Sequence, residues 1–137
     1  MGGMPVKYLM DTHVWIWWHM RPKNLSRRVK SLISNLDEDD DLFLSAISPW
    51  EFAKLLENGK LAISCDPEEW IARAMEMPRL KLIPLDPMLA YRSTVLPAPF
   101  HSDPADQIIV ASARHEGATI LTKDKGILSY AHVKSLW

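Results

Sequence analysis

The sequence predicts an α/β protein of three layers, with a central parallel sheet of four to five strands and helices on both faces. Three observations predict it. Short apolar runs of four or five residues alternate with segments of helical period. Two of these runs end on or just before an acid, at Asp11 and Asp124. Asp-Pro or Ser-Pro pairs recur where helices should begin. Strands that alternate with helices pair in parallel and bury both sheet faces, and right-handed crossovers carry successive strand ends to one edge.

The elements follow in order. Val6 to Met10 reads as a buried strand, and Thr12 to about Met20 as a helix with Trp15 and Trp18 on one face. After the break at Pro22, Ser26 caps a second helix to about Leu36, with Val29, Leu32, Ile33 and Leu36 as its apolar stripe. The five acids from Asp37 to Asp41 read as a solvated loop. Leu42 to Ser45 is the second strand. Ser48-Pro49-Trp50-Glu51 then fits a capping box, with Ser48 as N-cap, Pro49 at the first helical position and Glu51 at N3. Trp50 is expected to pack against the protein, and Gly59 to end that helix.

Asp66-Pro67, Asp86-Pro87 and Asp103-Pro104 repeat the same start, since proline loses no bond where the N–H has no helical partner. Leu80 to Ile83 is the third strand, and Asp86 to Leu96 the fifth helix. Pro97 to Ser102 is a stiff loop, in which His101 reads as a loop residue. The helix from Asp103 to Gly117 is almost wholly apolar after its first turn, so it faces the core. Ala118 to Thr122 is the fourth strand, a helical turn lies near Gly126 to Tyr130, and Val133 to Leu136 is a possible edge strand.

The expected unit is one domain spanning 4–137; Met1-Gly2-Gly3 ahead of Met4 reads as a leader or cloning remnant. At 137 residues the chain can bury a real core. A net charge of −1 excludes a global polyelectrolyte binder, so nucleic acid would be met by local basic patches such as Arg21, Lys23, Arg27, Arg28 and Lys30. The lone cysteine, Cys65, excludes an internal disulfide and fits a reducing cytoplasm. The first residues lack the basic start and apolar core of a signal peptide, and no run approaches the roughly 18–20 apolar residues of a membrane span.

The chemistry concentrates in four acids. Asp11 and Asp124 each closely follow a strand, while Glu51 and Asp106 each fall in the first turn of a helix. All four can converge on the carboxyl edge of the sheet, where open α/β sheets bind ligands. Carboxylates gathered in one pocket repel one another, and hard divalent cations with oxygen ligands resolve the conflict. Two such ions about 4 Å apart can activate water and stabilise the leaving oxygen of a phosphodiester. The chain has no Cys/His zinc set and no phosphate-cradling glycine loop.

With these residues in view, the chain resembles PIN-domain ribonucleases of the kind found as the toxin in VapBC-type toxin–antitoxin pairs. The resemblance rests on Tyr8-Leu9-Met10-Asp11-Thr12, on Ser45 to Glu51, on His101-Ser102-Asp103-Pro104-Ala105-Asp106, on Leu121-Thr122-Lys123-Asp124 and on the closing Val133 to Trp137. It implies a PIN-like fold and Mg²⁺ or Mn²⁺ held by Asp11, Glu51, Asp106 and Asp124. Thr122 is implied as an auxiliary polar group, with Thr12 and Asp103 as further auxiliary candidates; a cap role alone would also explain Asp103. It further implies an RNA substrate cut to 5′-phosphate and 3′-hydroxyl ends, a small antitoxin partner filling the groove near the acids, and a homodimer. In one departure, relatives often carry Arg after the acid equivalent to Asp106, where this chain has Gln107. That change bears on a local phosphate or carboxylate contact, not on the metal.

Two other readings stand beside it. A small phosphatase with an aspartyl nucleophile fits Asp11-Thr12 after a strand, but position 13 is His where a second acid is needed. A PIN fold without activity, serving as a binding module, would not need all four acids.

Overall fold

In the computed structural model, which describes residues 4–137, five strands form one parallel sheet in the order β3-β2-β1-β4-β5. Met1 to Gly3, the expected leader, lie outside the described residues. The strands are β1 (Lys7–Met10), β2 (Asp41–Ser45), β3 (Leu80–Ile83), β4 (Thr119–Leu121) and β5 (Ser135–Leu136). The helices are α1 (Thr12–Met20), α2 (Arg27–Ser34), α3 (Ile47–Glu57), α4 (Pro67–Ala74), α5 (Pro87–Arg92), α6 (Pro104–Glu116) and α7 (Lys125–Leu128).

Alternation along the strands sorts the core into two. Leu9, Phe43 and Ile120 point to one face, where Leu89 of α5, Ile109 and Val110 of α6 and Ile127 of α7 cover them. Their neighbours Met10, Leu42, Leu44 and Leu121 point to the other, under Val14 and Trp15 of α1, Val29 and Ile33 of α2, and Phe52 of α3. The expected three layers follow directly: β1, β2 and β4 are apolar on both sides where both sides are covered, while the edge strand β3 leaves Lys81 and Leu82 exposed.

The chain leaves β1 towards β2 on one side, while β4 pairs on the other. The strand order therefore reverses at β1, and a crevice opens at the carboxyl ends of β1 and β4. Asp11 is the first residue past β1, and its backbone N–H donates to Leu121 O at 3.0 Å.

The aspartate caps form as expected. Asp66, Asp86 and Asp103 each accept from the backbone N–H three residues on. Ser26 does the same for α2, and Gly117 closes α6 in the left-handed conformation at φ 67°.

Three expectations need correction. Ser48 is not an N-cap and there is no capping box: α3 starts at Ile47, whose N–H donates to Ser45 Oγ at 3.1 Å. Pro49 is still tolerated because it lies in the first turn, where no helical N–H bond is lost. Trp50 does not pack away; it is 54% exposed, with Lys54 Nζ 5.6 Å from its ring centroid. The helix from Asp86 stops at Arg92 rather than Leu96, and the next two hydroxyls turn back onto it, Ser93 Oγ to Ala90 O at 2.6 Å and Thr94 Oγ1 to Tyr91 O at 2.7 Å.

Candidate metal centre

Asp11 sits where the sheet ends and α1 begins, and both of its oxygens are engaged. Oδ1 accepts from Thr12 N at 2.8 Å, and Oδ2 from Thr122 Oγ1 at 2.6 Å. Thr122, fully buried, also accepts from Asp124 N at 3.0 Å. One hydroxyl thus ties the residues that follow β1 and β4. A carboxylate so held presents only its remaining lone pairs to the crevice, which suits a ligand or a fixed charge better than a free nucleophile.

Glu51, one turn into α3, accepts from Thr12 Oγ1 in a short hydrogen bond. Thr12 Oγ1 lies 2.8 Å from Ser48 Oγ. Since Thr12 spends its proton on Glu51, Ser48 donates to Thr12. The residue read as a cap is instead the buried end of a relay, Ser48 to Thr12 to Glu51, that holds the glutamate over the crevice.

Asp103 and Asp106 come from the start of α6. Asp103 Oδ1 accepts from Asp106 N at 3.0 Å, so Asp103 does cap the helix. Its carboxylate also joins those of Glu51 and Asp106 in a group whose ligand-capable atoms all lie within 4.8 Å of one another. The cap and the cluster are compatible because a carboxylate has several acceptor sites. Asp124 caps α7 through Oδ2, which accepts from Ile127 N at 2.9 Å. It belongs to a second group of the same tightness with Asp106 and His101.

Asp106 is common to both groups. Asp11 lies outside them but close enough for its charge to raise the proton affinity of both Glu51 and Asp106. At Asp106, burial first, and then the charges of Asp11, Asp103, Asp124 and Glu51, push the carboxyl up to about 8. Burial raises Asp11 as well, against the lowering effect of its Thr122 and Thr12 hydrogen bonds and of His13. Glu51 is raised by burial, with the Thr12 hydrogen bond opposing and Asp11 and Asp103 adding to the rise. Such mutual repulsion is what bound divalent cations relieve, and a set of carboxylate oxygens with one imidazole suits them chemically.

His101, which the sequence reads as a loop residue, joins the second group. Its Nε2 lies 3.3 Å from Asp106 Oδ2. Its position five residues before Asp106 was a weak signal, because nothing local says which way the Pro97–Ser102 loop turns. The basic residues Arg21, Lys23, Arg27, Arg28 and Lys30 are all exposed.

A cluster of acids at the switch point of a parallel α/β sheet, braced from behind by hydroxyls, defines the class: an α/β protein with a centre able to hold divalent cations. The chain belongs to the PIN domain family, whose sequence pattern matches residues 8–133. It is similar to Ribonuclease VapC22 of Mycobacterium tuberculosis (strain ATCC 25618 / H37Rv), with 32% identity over 124 residues that cover 90% of this chain and 92% of that protein. Among solved structures it resembles FitAcB from Neisseria gonorrhoeae, at a TM-score of 0.64 and 23% identity over 95% of this chain and 96% of that one. It also resembles a toxin–antitoxin complex from Klebsiella pneumoniae, at a TM-score of 0.63 and 18% identity over 95% and 96%. At these identities the structural matches speak for the fold.

Proposed function

We propose that residues 4–137 form one catalytic unit, a divalent-metal-dependent endoribonuclease that is the toxin of a toxin–antitoxin pair. The observation that carries this reading is Asp106, shared by two groups of ligand-capable side chains at the carboxyl edge of the sheet. The similarity to a protein named Ribonuclease VapC22 supports RNA as substrate.

In this reading Glu51, Asp103, Asp106 and Asp124 would hold Mg²⁺ or Mn²⁺, with Asp11 as a further ligand or as the fixed negative charge behind them. A bound ion there supplies Lewis-acid polarisation of the phosphodiester and neutralises the charge that builds on its oxygens. The chain's own groups do the rest. Thr122 and the Thr12 N–H hold Asp11 in one rotamer, and the Ser48–Thr12 relay does the same for Glu51. An ionised carboxylate accepts the proton of the attacking water. Water adds to phosphorus in line with the 3′-oxygen, which leaves and takes up a proton from solvent, giving 5′-phosphate and 3′-hydroxyl ends.

Two surfaces fit the partners. A groove of about 450 Å³ runs beside the centre from His13 along Trp17, Leu55 and Leu61, with Arg21 and Lys60 also lining it. Its apolar walls and cationic side chains suit an antitoxin segment carrying apolar and acidic residues. Met88 and Tyr91 on α5, and Val95 just beyond, are exposed at helical spacing and offer a face for a homodimer. Among the described residues no helix is long and apolar enough to cross a membrane, and the single free cysteine, Cys65, is in keeping with a reducing cytoplasm.

The test is direct. Purified protein, freed of antitoxin and supplied with Mg²⁺ or Mn²⁺, should cleave RNA, and Asp11→Asn should not. A protein that leaves a broad RNA panel intact, or an Asp11→Asn variant as active as the parent, overturns the reading; a bare binding module would give the first result.

A further inference from the structure

His101 is not one of the acids of the proposed function, yet the loop that carries its imidazole is held at the centre by three contacts. Its ring packs on Phe100 at a 30° tilt with centroids 4.2 Å apart, and Phe100 packs on Tyr130 at 4.8 Å. The Tyr130 hydroxyl closes the other end of the loop with a short hydrogen bond to Pro97 O. Gln107 Nε2 donates to the His101 carbonyl at 3.2 Å. The glutamine that departs from the usual arginine thus anchors this loop.

An independent observation comes from Gly126, in the first turn of α7. A Cβ there would stand 3.1 Å from Asp124 Oδ2, 3.1 Å from His101 Cδ2 and 3.3 Å from His101 Nε2. The positive-φ glycines are Gly59 and Gly117, so Gly126 is not needed for backbone conformation. Glycine inside a helix costs about 1 kcal/mol relative to alanine. What it provides here is room for an imidazole nitrogen and a carboxylate oxygen to face the same point.

We propose that His101, Asp106 and Asp124 form a mixed nitrogen–oxygen seat that prefers a transition-metal ion, taking Mn²⁺ ahead of Mg²⁺, beside an all-carboxylate seat made by Glu51, Asp103 and Asp106. The chemistry follows from the donors. Mg²⁺ demands oxygen ligands and dehydrates reluctantly, whereas imidazole is a good ligand for first-row transition ions, which bind nitrogen more strongly. The histidine therefore makes the two seats unlike, with Asp106 bridging them. This inference rests on the proposed metal dependence and adds to it the ion and the ligand.

The experiment reads binding rather than turnover. Mn²⁺ bound to the purified full chain is examined by pulsed electron paramagnetic resonance for coupling to imidazole ¹⁴N. Mn²⁺ and Mg²⁺ affinities are measured by calorimetry for the parent, His101→Gln and Gly126→Ala, each checked for an unchanged melting transition. The expected result is ¹⁴N coupling in the parent that disappears in His101→Gln. Mn²⁺ affinity should fall about tenfold or more in that variant, the range seen when a shell supporting a metal is broken, while Mg²⁺ affinity changes less than about twofold. Gly126→Ala, which crowds the imidazole, should weaken Mn²⁺ in the same direction. Mn²⁺ binding without ¹⁴N coupling, or His101→Gln weakening both ions equally, overturns the mixed seat and leaves metal dependence standing. A parent that binds neither ion overturns both.

Discussion

Thr122 donates its hydroxyl to Asp11 Oδ2 at 2.6 Å, joining the residues that follow β4 and β1 across 111 positions of sequence. Both side chains are buried, so this bond is the main force opposing the desolvation of Asp11. Thr122→Val keeps the shape and removes the donor. It should destabilise the fold by roughly 1–3 kcal/mol, the cost of leaving a buried acceptor unpaired. It should also lower nuclease activity about tenfold or more, because a supporting shell is lost. Urea unfolding alongside RNA cleavage checks both; a stability loss with undiminished cleavage would separate Asp11 from the chemistry.

On the proposed reading, a cation held by Asp106 should release a proton as it binds. With its carboxyl pushed up to about 8, it is mostly protonated at pH 7 in the metal-free protein. A cation must displace that proton, so roughly one proton per chain should be released at pH 7. Calorimetry in buffers of different ionisation enthalpy measures this directly. Affinity should climb with pH up to about 8 and then level off, whereas a pH-independent affinity would contradict the crowding of Asp106.

The sign for stability is opposite. The folded carboxyl of Asp106 holds its proton above the unfolded value of 3.8, so the unfolded chain releases it first as pH rises. The contribution of Asp106 to the stability of the metal-free protein is therefore full below about pH 4 and is lost as pH rises towards 8. Melting curves at constant ionic strength should show this decline without metal, and saturating Mn²⁺ or Mg²⁺ should reverse it.

Thr12 donates to Glu51 and so orients its carboxylate. Thr12→Val removes the donor that favours the ionised glutamate, so the carboxyl should rise further. The acid limb of the pH–rate profile should move to higher pH, and metal affinity should weaken. Ser48→Ala, one step further back in the relay, should cost about 1 kcal/mol of stability and shift that limb less. Equal shifts in the two variants would argue against a relay.

Gly117 ends α6 at φ 67°, a conformation that costs other residues about 1–2 kcal/mol. Gly117→Ala should lower stability by about that amount without altering metal affinity, since nothing lies within 4 Å of the added methyl. Thermal melts test the first part and calorimetry the second.

Tyr91 is 62% exposed on α5. If that face closes a homodimer, Tyr91→Glu should shift sedimentation towards the monomer while the circular dichroism spectrum stays unchanged.

The sequence by itself determined the parallel α/β layering, the aspartate caps at Asp66, Asp86 and Asp103, the ending of α6 at Gly117, and the four acids drawn to one edge. Those features depend on short-range chemistry: a cap reaches three residues, a proline sets its own φ, and apolar alternation states which faces are covered. Only the tertiary structure decided that Ser48 serves Thr12 instead of a helix end, that Asp106 belongs to two groups while Asp11 stands behind both, and that His101 turns inward over Gly126. Each of these depends on the angle at which separate elements meet, and that angle is set by packing between residues far apart in the chain, which no local pattern encodes.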